Sequence, residues 1–152
     1  MTVRRASLED VAGIARVIQE TGAELGWPRF EAEELVRPHL TRCLAEPGAH
    51  SVWVAVDADG VAGYLALHWM PYLLLPGPSG HVSELFVRPS RRGRGLGAAL
   101  LEAAEAEARE RGAFRLELCN RRDRESYQRG FYAKAGWTER EEMAVFNRVL
   151  EP

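Results

Sequence analysis

The segment of this 152-residue chain most suited to chemistry lies at residues 87–97, between an apolar run and a helical pattern. It contains the alternating glycines Gly93, Gly95 and Gly97 and the arginines Arg91, Arg92 and Arg94. Glycine lets the backbone turn sharply and lets a ligand approach main-chain amides closely. The first turn of a helix adds unpaired N–H groups and a positive dipole end. The segment is therefore predicted to bind a strongly anionic group such as a pyrophosphate.

The glycine spacing narrows the class of phosphate ligand. The chain lacks the Gly-x-x-x-x-Gly-Lys-Ser/Thr string of a Walker loop, and Gly-x-Gly-x-Gly departs from the dinucleotide fingerprint. Some methyltransferases use such a loop, with an acid such as Glu117 ~20 residues further on to bind a ribose. However, S-adenosylmethionine has no polyphosphate to pair with the arginines, and too little chain follows Glu117 to complete a doubly wound sheet. An S-adenosylmethionine-dependent methyltransferase remains an alternative.

The hydrophobic periodicity indicates one alternating α/β domain without an internal boundary. Ser7 and Asp10 form a capping-box pattern at the start of a first helix. Gly22 and Gly26 are expected to end this helix. Pro38 is expected to kink the second helix or to divide it into two. Further helices are predicted at 95–111 and 124–135. Strands are predicted at 1–5, 51–56, 61–69, 81–87, 114–118, 137–138 and 143–149, with a hairpin turn at 57–60.

Composition and charge exclude several classes of protein. The formal net charge of −2 argues against a nucleic-acid-binding protein. Without an apolar leader or a long apolar run, a cytoplasmic location without membrane contact is expected. Cys43, Cys119 and four scattered histidines show no metal-ligand spacing, so no metal is predicted. Both cysteines are predicted to be buried and to pack as small apolar side chains rather than to form a disulfide.

Three motifs together resemble those of the GNAT N-acetyltransferases. Residues 92–97 resemble the Arg/Gln-x-x-Gly-x-Gly/Ala cofactor motif, residues 84–89 resemble the family's central strand, and residues 131–137 resemble its Phe-Tyr-x-x-x-Gly-Phe segment. The resemblance covers nearly the whole chain and implies a single GNAT domain over residues 1–152. It also implies an α/β fold with a central, mostly antiparallel mixed sheet of about six to seven strands and about four helices on both faces.

The resemblance implies acetyl-CoA as the cofactor and CoA as the product. The backbone of the loop would wrap the pyrophosphate through Arg92, Gly93, Arg94, Gly95, Leu96, Gly97 and Ala98. The pantetheine arm would pair with the central strand around Phe86 and Val87. Asn120 lies further upstream of the family's tyrosine than is common, so it is assigned either to the pantetheine or to a turn.

The resemblance further implies direct transfer of the acetyl group to a primary amine. An alkyl amine with a pKa near ~10 is mostly protonated at neutral pH, so a base must accept its proton. Glu84 is the candidate base, because a carboxylate in an apolar strand needs polar partners or water; the alternative is a salt-bridged glutamate without a role. Tyr132 matches the family's tyrosine near the cofactor sulfur and is the candidate acid; the alternative is helix packing.

The family's acceptor site implies a cleft near the first two helices and the loop before the central strand. Trp27, Phe30, Trp69 and Tyr72 are the candidates here, with core packing or a dimer contact as the alternative. The expected partners are a small-molecule or peptide amine and a second copy of the chain, since dimers are frequent in the family. The arginines at 121, 122, 124 and 129 are interpreted as a solvated face, with the cofactor's 3′-phosphate as the alternative. A non-catalytic acyl-CoA-binding module and a structural protein also remain open.

Overall fold

The computed structural model describes residues 1–150 of the chain. The strands are β1 (Thr2–Arg5), β2 (His50–Asp57), β3 (Gly60–Met70), β4 (Ser79–Val87) and β5 (Arg115–Leu118). The α-helices are α1 (Val11–Glu24), α2 (Ala32–Ala45), α3 (Leu96–Glu110), α4 (Glu125–Gln128) and α5 (Phe131–Lys134). Short 3-10 turns cover Leu8–Asp10 and Pro89–Arg91. The chain divides into two compact units, Met1–Cys119 and a segment that begins at Asn120.

The first unit contains one sheet whose five strands lie in sequence order. The first four strands pair antiparallel, and β5 pairs parallel to β4. The expectation of a mixed, mostly antiparallel sheet is confirmed. The strands predicted at 137–138 and 143–149 are wrong, because those residues adopt no strand conformation. Apolar side chains in this stretch stay exposed, including Phe146 at 93%, and a strand forms only where its backbone groups find a partner.

Helices cover both faces of this sheet, as expected. Side chains alternate between faces along a strand, and Val52, Val54 and Tyr64 pack into one core with residues of α1 and α2. On the opposite face, Ser51 of β2 donates a hydrogen bond to Glu107 of α3. We call the sheet face that packs against α1 and α2 the α1/α2 face, and the sheet face that packs against α3 the α3 face.

The predicted capping box forms and caps the 3-10 turn Leu8–Asp10, which leads directly into α1, but α1 does not end where predicted. The main-chain N–H of Ser7 donates to Asp10 Oδ2 at 2.8 Å, as a capping box requires. Gly22 does not end the helix, which continues to Glu24. A Cβ at Gly22 would lie 2.9 Å from Cε3 of Trp27, so this glycine makes room for an indole ring. Gly26, with a φ of +71°, follows the helix.

The second helix runs through its proline without being divided. α2 is one helix from Ala32 to Ala45, so the alternative of two short helices separated at Pro38 is wrong. A proline inside a helix removes a single main-chain hydrogen bond. The hydroxyl of Thr41 donates to the carbonyl of Arg37 at 2.8 Å in this same turn.

In the second unit, one predicted helix is instead two short ones. Gly130 adopts a left-handed φ of +66° between α4 and α5 and thereby breaks the predicted helix at 124–135. Gly136, with a φ of +86°, follows α5 and ends it as predicted. Within residues 1–150, no helix combines the length and apolar composition that a membrane crossing requires.

Candidate functional site

The glycine-rich loop forms a cradle of main-chain amides at the start of α3. Gly93 and Gly95 have φ values of +74° and +78°, a region that favours glycine. The N–H of Ala99 donates to the carbonyl of Gly95 at 3.0 Å. Between Gly93 and Ala98, no amide donates to a main-chain carbonyl in the part of the chain that the structure describes. These amides and the positive end of the helix dipole are available to one anion.

Two ion pairs fasten this loop to the end of α1. Arg92 binds Glu24 through both guanidinium Nη atoms, at 2.7 and 2.6 Å. The buried Arg88 donates from Nε to Glu20 Oε2 at 2.9 Å, and this bond lowers the pKa of the Glu20 carboxyl. Because Glu20 and Glu24 are one helical turn apart, they share one face of α1. Sequence reasoning missed Arg88, whose only signal was a charge at the end of an apolar strand.

The remaining loop arginines have different roles. Arg91 pairs with the carboxylates of the β2–β3 turn, Asp57 at 3.2 Å and Asp59. Arg94 is exposed and makes no ion pair within residues 1–150. The three arginines that the sequence makes look alike therefore separate into two that fix the loop and one that is available to a ligand.

The second half of β4 has a strand on one side only. β5 pairs with Ser79–Val82 and no further, whereas β3 pairs with β4 as far as Val87. The main chain of residues 83–87 therefore has an open edge toward β5 within the described first unit. This opening lies directly before the glycine-rich loop in the chain. The sequence carries no signal for it, because strand length does not reveal where a neighbouring strand stops.

Strand alternation decides which main-chain groups reach this open edge. The N–H of Arg88 donates to the carbonyl of Ala62 at 2.9 Å. Hydrogen-bonded and non-hydrogen-bonded pairs alternate along an antiparallel ladder. Phe86, two residues before Arg88, is therefore also hydrogen-bonded to β3. Leu85 and Val87 alternate with it and direct their main-chain N–H and C=O groups to the opening. Of the two residues assigned to the pantetheine from sequence, Val87 has main-chain groups at the open edge and Phe86 does not; Leu85 also reaches this edge.

The side chain of Phe86 instead builds an aromatic wall on the α1/α2 face. Its ring lies edge-on to Trp27 at 6.2 Å between centroids and is tilted against Tyr64 at 6.0 Å. Trp27 is 39% exposed, so the wall borders solvent. Phe30 is half-buried in the segment between α1 and α2.

A β-bulge places two polar residues side by side on this face. Ala66 pairs with Glu84 and Leu67 pairs with Val82, which leaves Ser83 as an extra residue in β4. Ser83 contacts His68, and Glu84 contacts Tyr64, so both side chains lie on the α1/α2 face. In a regular strand, consecutive side chains point to opposite faces.

Glu84 is exposed and fixed by one hydrogen bond. The hydroxyl of Tyr64 donates to Glu84 Oε2 at 2.8 Å. Burial, together with the charge of Glu84, raises the pKa of Tyr64 far above its usual value, so its hydroxyl stays protonated. No other hydrogen bond reaches Glu84 within residues 1–150, so Oε1 is the oxygen that can accept a proton.

The four aromatic residues predicted for the acceptor site are not brought together. Trp69 is 7% exposed on the α3 face, where its Nε1 donates to Ser51 Oγ at 3.0 Å beneath the guanidinium of Arg111. It is a core residue, contrary to its assignment from sequence. Tyr72 is exposed in the loop after β3 and lies under the guanidinium of Arg115 at 5.8 Å. Trp27 and Phe30 remain as candidates.

In the second unit, Tyr132 lies among aromatic rings. Its ring is 4.9 Å from Phe131 and 6.2 Å from Trp137. Burial raises its pKa, so its hydroxyl remains a proton donor at neutral pH. That hydroxyl makes no hydrogen bond within residues 1–150. Asn120 donates from Nδ2 to Ser126 Oγ at 3.2 Å, a contact within a turn.

The other polar residues singled out in the sequence lie at the surface. Arg121 pairs with Asp123 at 2.6 Å and Arg122 pairs with Glu139 at 2.7 Å, as a solvated face would. Cys43 is half-buried against the core, whereas Cys119 is exposed, so the prediction of two buried thiols is wrong for Cys119. Among the described residues, no group of three or more His, Cys, Asp or Glu side chains could hold a metal ion.

The family assignment follows from the comparison with known proteins. Residues 16–137 match the model of the acetyltransferase (GNAT) family. The chain belongs to the GNAT acetyltransferase family. Membership makes it an N-acetyltransferase and ends the methyltransferase alternative, and the family as a whole uses acetyl-CoA as its acyl donor.

This acetyltransferase has curated and structural relatives across most of its length. It is 32% identical over 136 residues to aminoalkylphosphonate N-acetyltransferase of Salmonella typhimurium (strain LT2), covering 89% of this chain and 83% of that protein. It is 31% identical over 122 residues to the uncharacterized N-acetyltransferase YjgM of Escherichia coli (strain K12), covering 76% and 70%. Its fold matches the integron cassette protein HFX_CASS3 from the Cole Harbour Salt Marsh metagenome with a TM-score of 0.82, 26% identity and coverage of 99% and 91%.

Proposed function

We propose that this acetyltransferase holds a primary amine on the α1/α2 face, beside Glu84, for direct transfer of the acetyl group of acetyl-CoA. One observation carries the proposal: an exposed carboxylate, fixed by a buried tyrosine, lies on the half-open strand that leads into the amide cradle. A proton acceptor and an anion site are thus joined by a few residues of one strand.

The cradle and the open edge fit the two parts of the cofactor. The unpaired amides from Gly93 to Ala98 and the exposed Arg94 match a doubly anionic pyrophosphate. The main-chain groups of Leu85 and Val87 match the amides of a pantetheine arm, which would extend the sheet as a strand does. When bound, acetyl-CoA supplies the thioester carbonyl that the amine attacks. The resemblance to the family assigns Asn120 to the pantetheine as well.

The protein's own contribution is to move protons and to position the amine. Oε1 of Glu84 accepts a proton from the incoming ammonium, while the hydrogen bond from Tyr64 stabilises and orients the carboxylate. Tyr132 holds a proton for the departing sulfur, because burial keeps its phenol un-ionised at neutral pH. Trp27 and Phe86 offer an apolar surface to the carbon skeleton of the acceptor.

The relatives define the first acceptors to test. Because one curated relative acts on aminoalkylphosphonates, the first panel contains short aminoalkylphosphonates, the corresponding amines without the phosphonate, amino acids and an aminoglycoside. A preference for the phosphonates over the corresponding amines without a phosphonate would assign the acceptor class.

The decisive experiment measures thiol release from acetyl-CoA by the purified chain in the presence of each amine. Amine-dependent release, with the acetylated amine identified by mass spectrometry, is expected for at least one class. Saturable acetyl-CoA binding without release for any amine would overturn the proposal and leave an acyl-CoA-binding module.

A further inference from the structure

A continuous chain of polar groups crosses the α1/α2 face and starts at the bulge. Ser83 Oγ lies 2.7 Å from His68 Nε2, and His68 Nδ1 lies 2.9 Å from His50 Nδ1. His50 Nε2 lies 3.9 Å from Glu46 Oε2, which is too long for a hydrogen bond but close enough for the carboxylate charge to act on the ring. We call Ser83, His68, His50 and Glu46 the histidine chain. It passes from β4 through β3 and β2 to the residue that follows α2.

The donor and acceptor roles of its hydrogen bonds give the histidine chain a direction of proton transfer. Two Nδ1 atoms 2.9 Å apart form a hydrogen bond only if one carries a proton and the other does not. The carboxylate of Glu46 favours a proton on His50 Nε2, so His50 Nδ1 is the acceptor and His68 Nδ1 is the donor. The remaining His68 Nε2 is then unprotonated and accepts from the hydroxyl of Ser83.

Burial and the charges of neighbouring elements keep His68 neutral, so that it can accept a proton. It faces His50 on β2 and both His81 and Glu84 on β4. Burial first, and then the nearby His50 and His81, lower the pKa of His68, while Glu84 opposes them. The imidazole is therefore neutral at pH 7. From α2, Cys43 lies on this side of the sheet and has a thiol pKa that burial raises, so it adds no charge at neutral pH.

The acetyl transfer itself moves two protons away from the nitrogen. An ammonium carries three protons and the amide product carries one, so two protons leave the nitrogen. One must leave before the nitrogen attacks, and the second leaves after the new C–N bond makes the nitrogen positive again. Glu84 accounts for one acceptor, and the bulge places the hydroxyl of Ser83 beside it on the same face.

We propose that the histidine chain is the second proton acceptor of this acetyltransferase. The nitrogen gives a proton to Ser83 Oγ as the hydroxyl proton passes to His68 Nε2. The Nδ1 proton of His68 passes to His50 Nδ1, and the Nε2 proton of His50 leaves to Glu46 or to water. Ser83, His68 and His50 each gain one proton and lose one, and no covalent bond to the acyl group forms. The inference rests on the proposed function, which it deepens.

A first test needs no substrate. ¹⁵N NMR of the histidine side chains in the full chain at pH 7 should show His68 neutral, with its proton on Nδ1. The variant His50→Gln, which replaces the acceptor, should change the His68 signals, whereas His39→Gln, an exposed residue of α2, should not. A His68 with its proton on Nε2 would reverse the donor order and overturn the proposal.

The kinetic test compares Ser83→Ala, Ser83→Thr, His68→Gln and the control His39→Gln with an accepted amine. Loss of a proton acceptor lowers kcat by about 10²-fold or more, and we expect this for His68→Gln, with an unchanged Kd for acetyl-CoA. The rate of the wild type should fall as the pH drops through the lowered pKa of His68, and this limb should disappear in His68→Gln. Ser83→Thr keeps a hydroxyl and should retain the rate that Ser83→Ala loses.

The outcomes separate this inference from the proposed function. If Glu84→Gln is slow while His68→Gln and Ser83→Ala match the wild type, the histidine chain is structural and the inference is wrong, although the function stands. Thermal unfolding measures the fraction of His68→Gln that is folded. If the apparent kcat of this variant falls only in proportion to that folded fraction, the inference is also wrong. A wild type without amine-dependent thiol release would overturn both.

Discussion

The hydroxyl of Tyr64 donates a hydrogen bond of 2.8 Å to the carboxylate of Glu84 across strands β3 and β4. Tyr64 is 2% exposed and packs in the core with α1 and α2, so its hydroxyl is held in place. An exposed glutamate side chain normally samples several rotamers. The hydrogen bond therefore turns a mobile carboxylate into an oriented one with a single oxygen available.

We predict that Glu84→Gln lowers kcat by about 10²- to 10⁴-fold, because an amide cannot accept the proton of the amine. The Kd for acetyl-CoA should stay unchanged, since the side chain of Glu84 projects from the α1/α2 face, whereas the main-chain groups of the open edge lie in the plane of the sheet. Steady-state kinetics and calorimetry measure the two quantities. The exposed Glu110→Gln of α3 keeps both the base and the histidine chain and is not expected to cause a loss of this size; an equal loss in both would point to a general charge effect.

The variant Tyr64→Phe keeps the buried ring and removes the hydroxyl that orients Glu84. A hydrogen bond to a charged group contributes about 1.5–3 kcal/mol, so we expect kcat to fall roughly tenfold or more and the fold to persist. The double variant Tyr64→Phe/Glu84→Gln should be no slower than Glu84→Gln alone. Additive losses would show that Tyr64 acts independently of Glu84.

Tyr132→Phe should lower kcat while leaving the Kd for acetyl-CoA nearly intact, because only the donated proton is lost. Its Phe131 and Trp137 contacts are preserved by the phenylalanine ring. Pre-steady-state thiol release at several pH values measures the effect, and Tyr127→Phe, which loses a surface hydrogen bond to Glu139, is the matched control. An unchanged rate for Tyr132→Phe would remove this residue from the mechanism and leave the fold as described.

Gly95→Glu should abolish acetyl-CoA binding, because a carboxylate would enter the amide cradle and repel the pyrophosphate. The control is Gly112→Glu at the opposite end of α3, where φ is +62° and, as at Gly95, an added Cβ meets no atom within 4 Å. Both variants carry the same left-handed strain and the same charge. Calorimetric titration with CoA should show binding in the control only; loss in both would indicate a folding effect.

Glu107→Ala should destabilise the first unit by about 3 kcal/mol or more, because its polar partners would lose the buried carboxylate that accepts their hydrogen bonds. Glu107 is 5% exposed and accepts hydrogen bonds from Ser51 at 2.6 Å, Trp53 at 2.9 Å and Arg111 at 2.8 Å. Urea denaturation at pH 7 measures the loss of unfolding free energy. The exposed Glu110→Ala, on the same helix, should change it by less than about 0.5 kcal/mol.

The same carboxylate predicts a pH dependence of stability. Burial alone would raise the pKa of Glu107, but the bonds from Ser51, Trp53 and Arg111 lower it below the usual value. A lowered pKa in the folded state means that this stabilisation is complete above the unfolded-state pKa of about 4.3. It is lost as the pH falls through the lowered value. Glu107→Ala should therefore cost less at pH 3 than at pH 7; an equal cost would contradict the assignment.

The sequence by itself determined the features that depend on a few consecutive residues. The capping box at Ser7, the β2–β3 hairpin, the long helix α3 and the loop with Gly93 and Gly95 all follow from local backbone preferences. A left-handed φ favours glycine wherever it occurs, and helical periodicity is visible within two turns. The family motif lies in this same local category, so the class of enzyme was accessible without coordinates.

Only the tertiary structure decided which side chains share a face. The end of β5 at Leu118 opens the edge of β4, and a single extra residue, Ser83, turns two consecutive polar side chains to one side. Those choices bring His68 to Ser83 and place Trp69 on the opposite face. They depend on register between strands that are distant in sequence, and a shift of one residue exchanges the faces of a strand. No local pattern records that register, because the packing of both faces against their helices sets it.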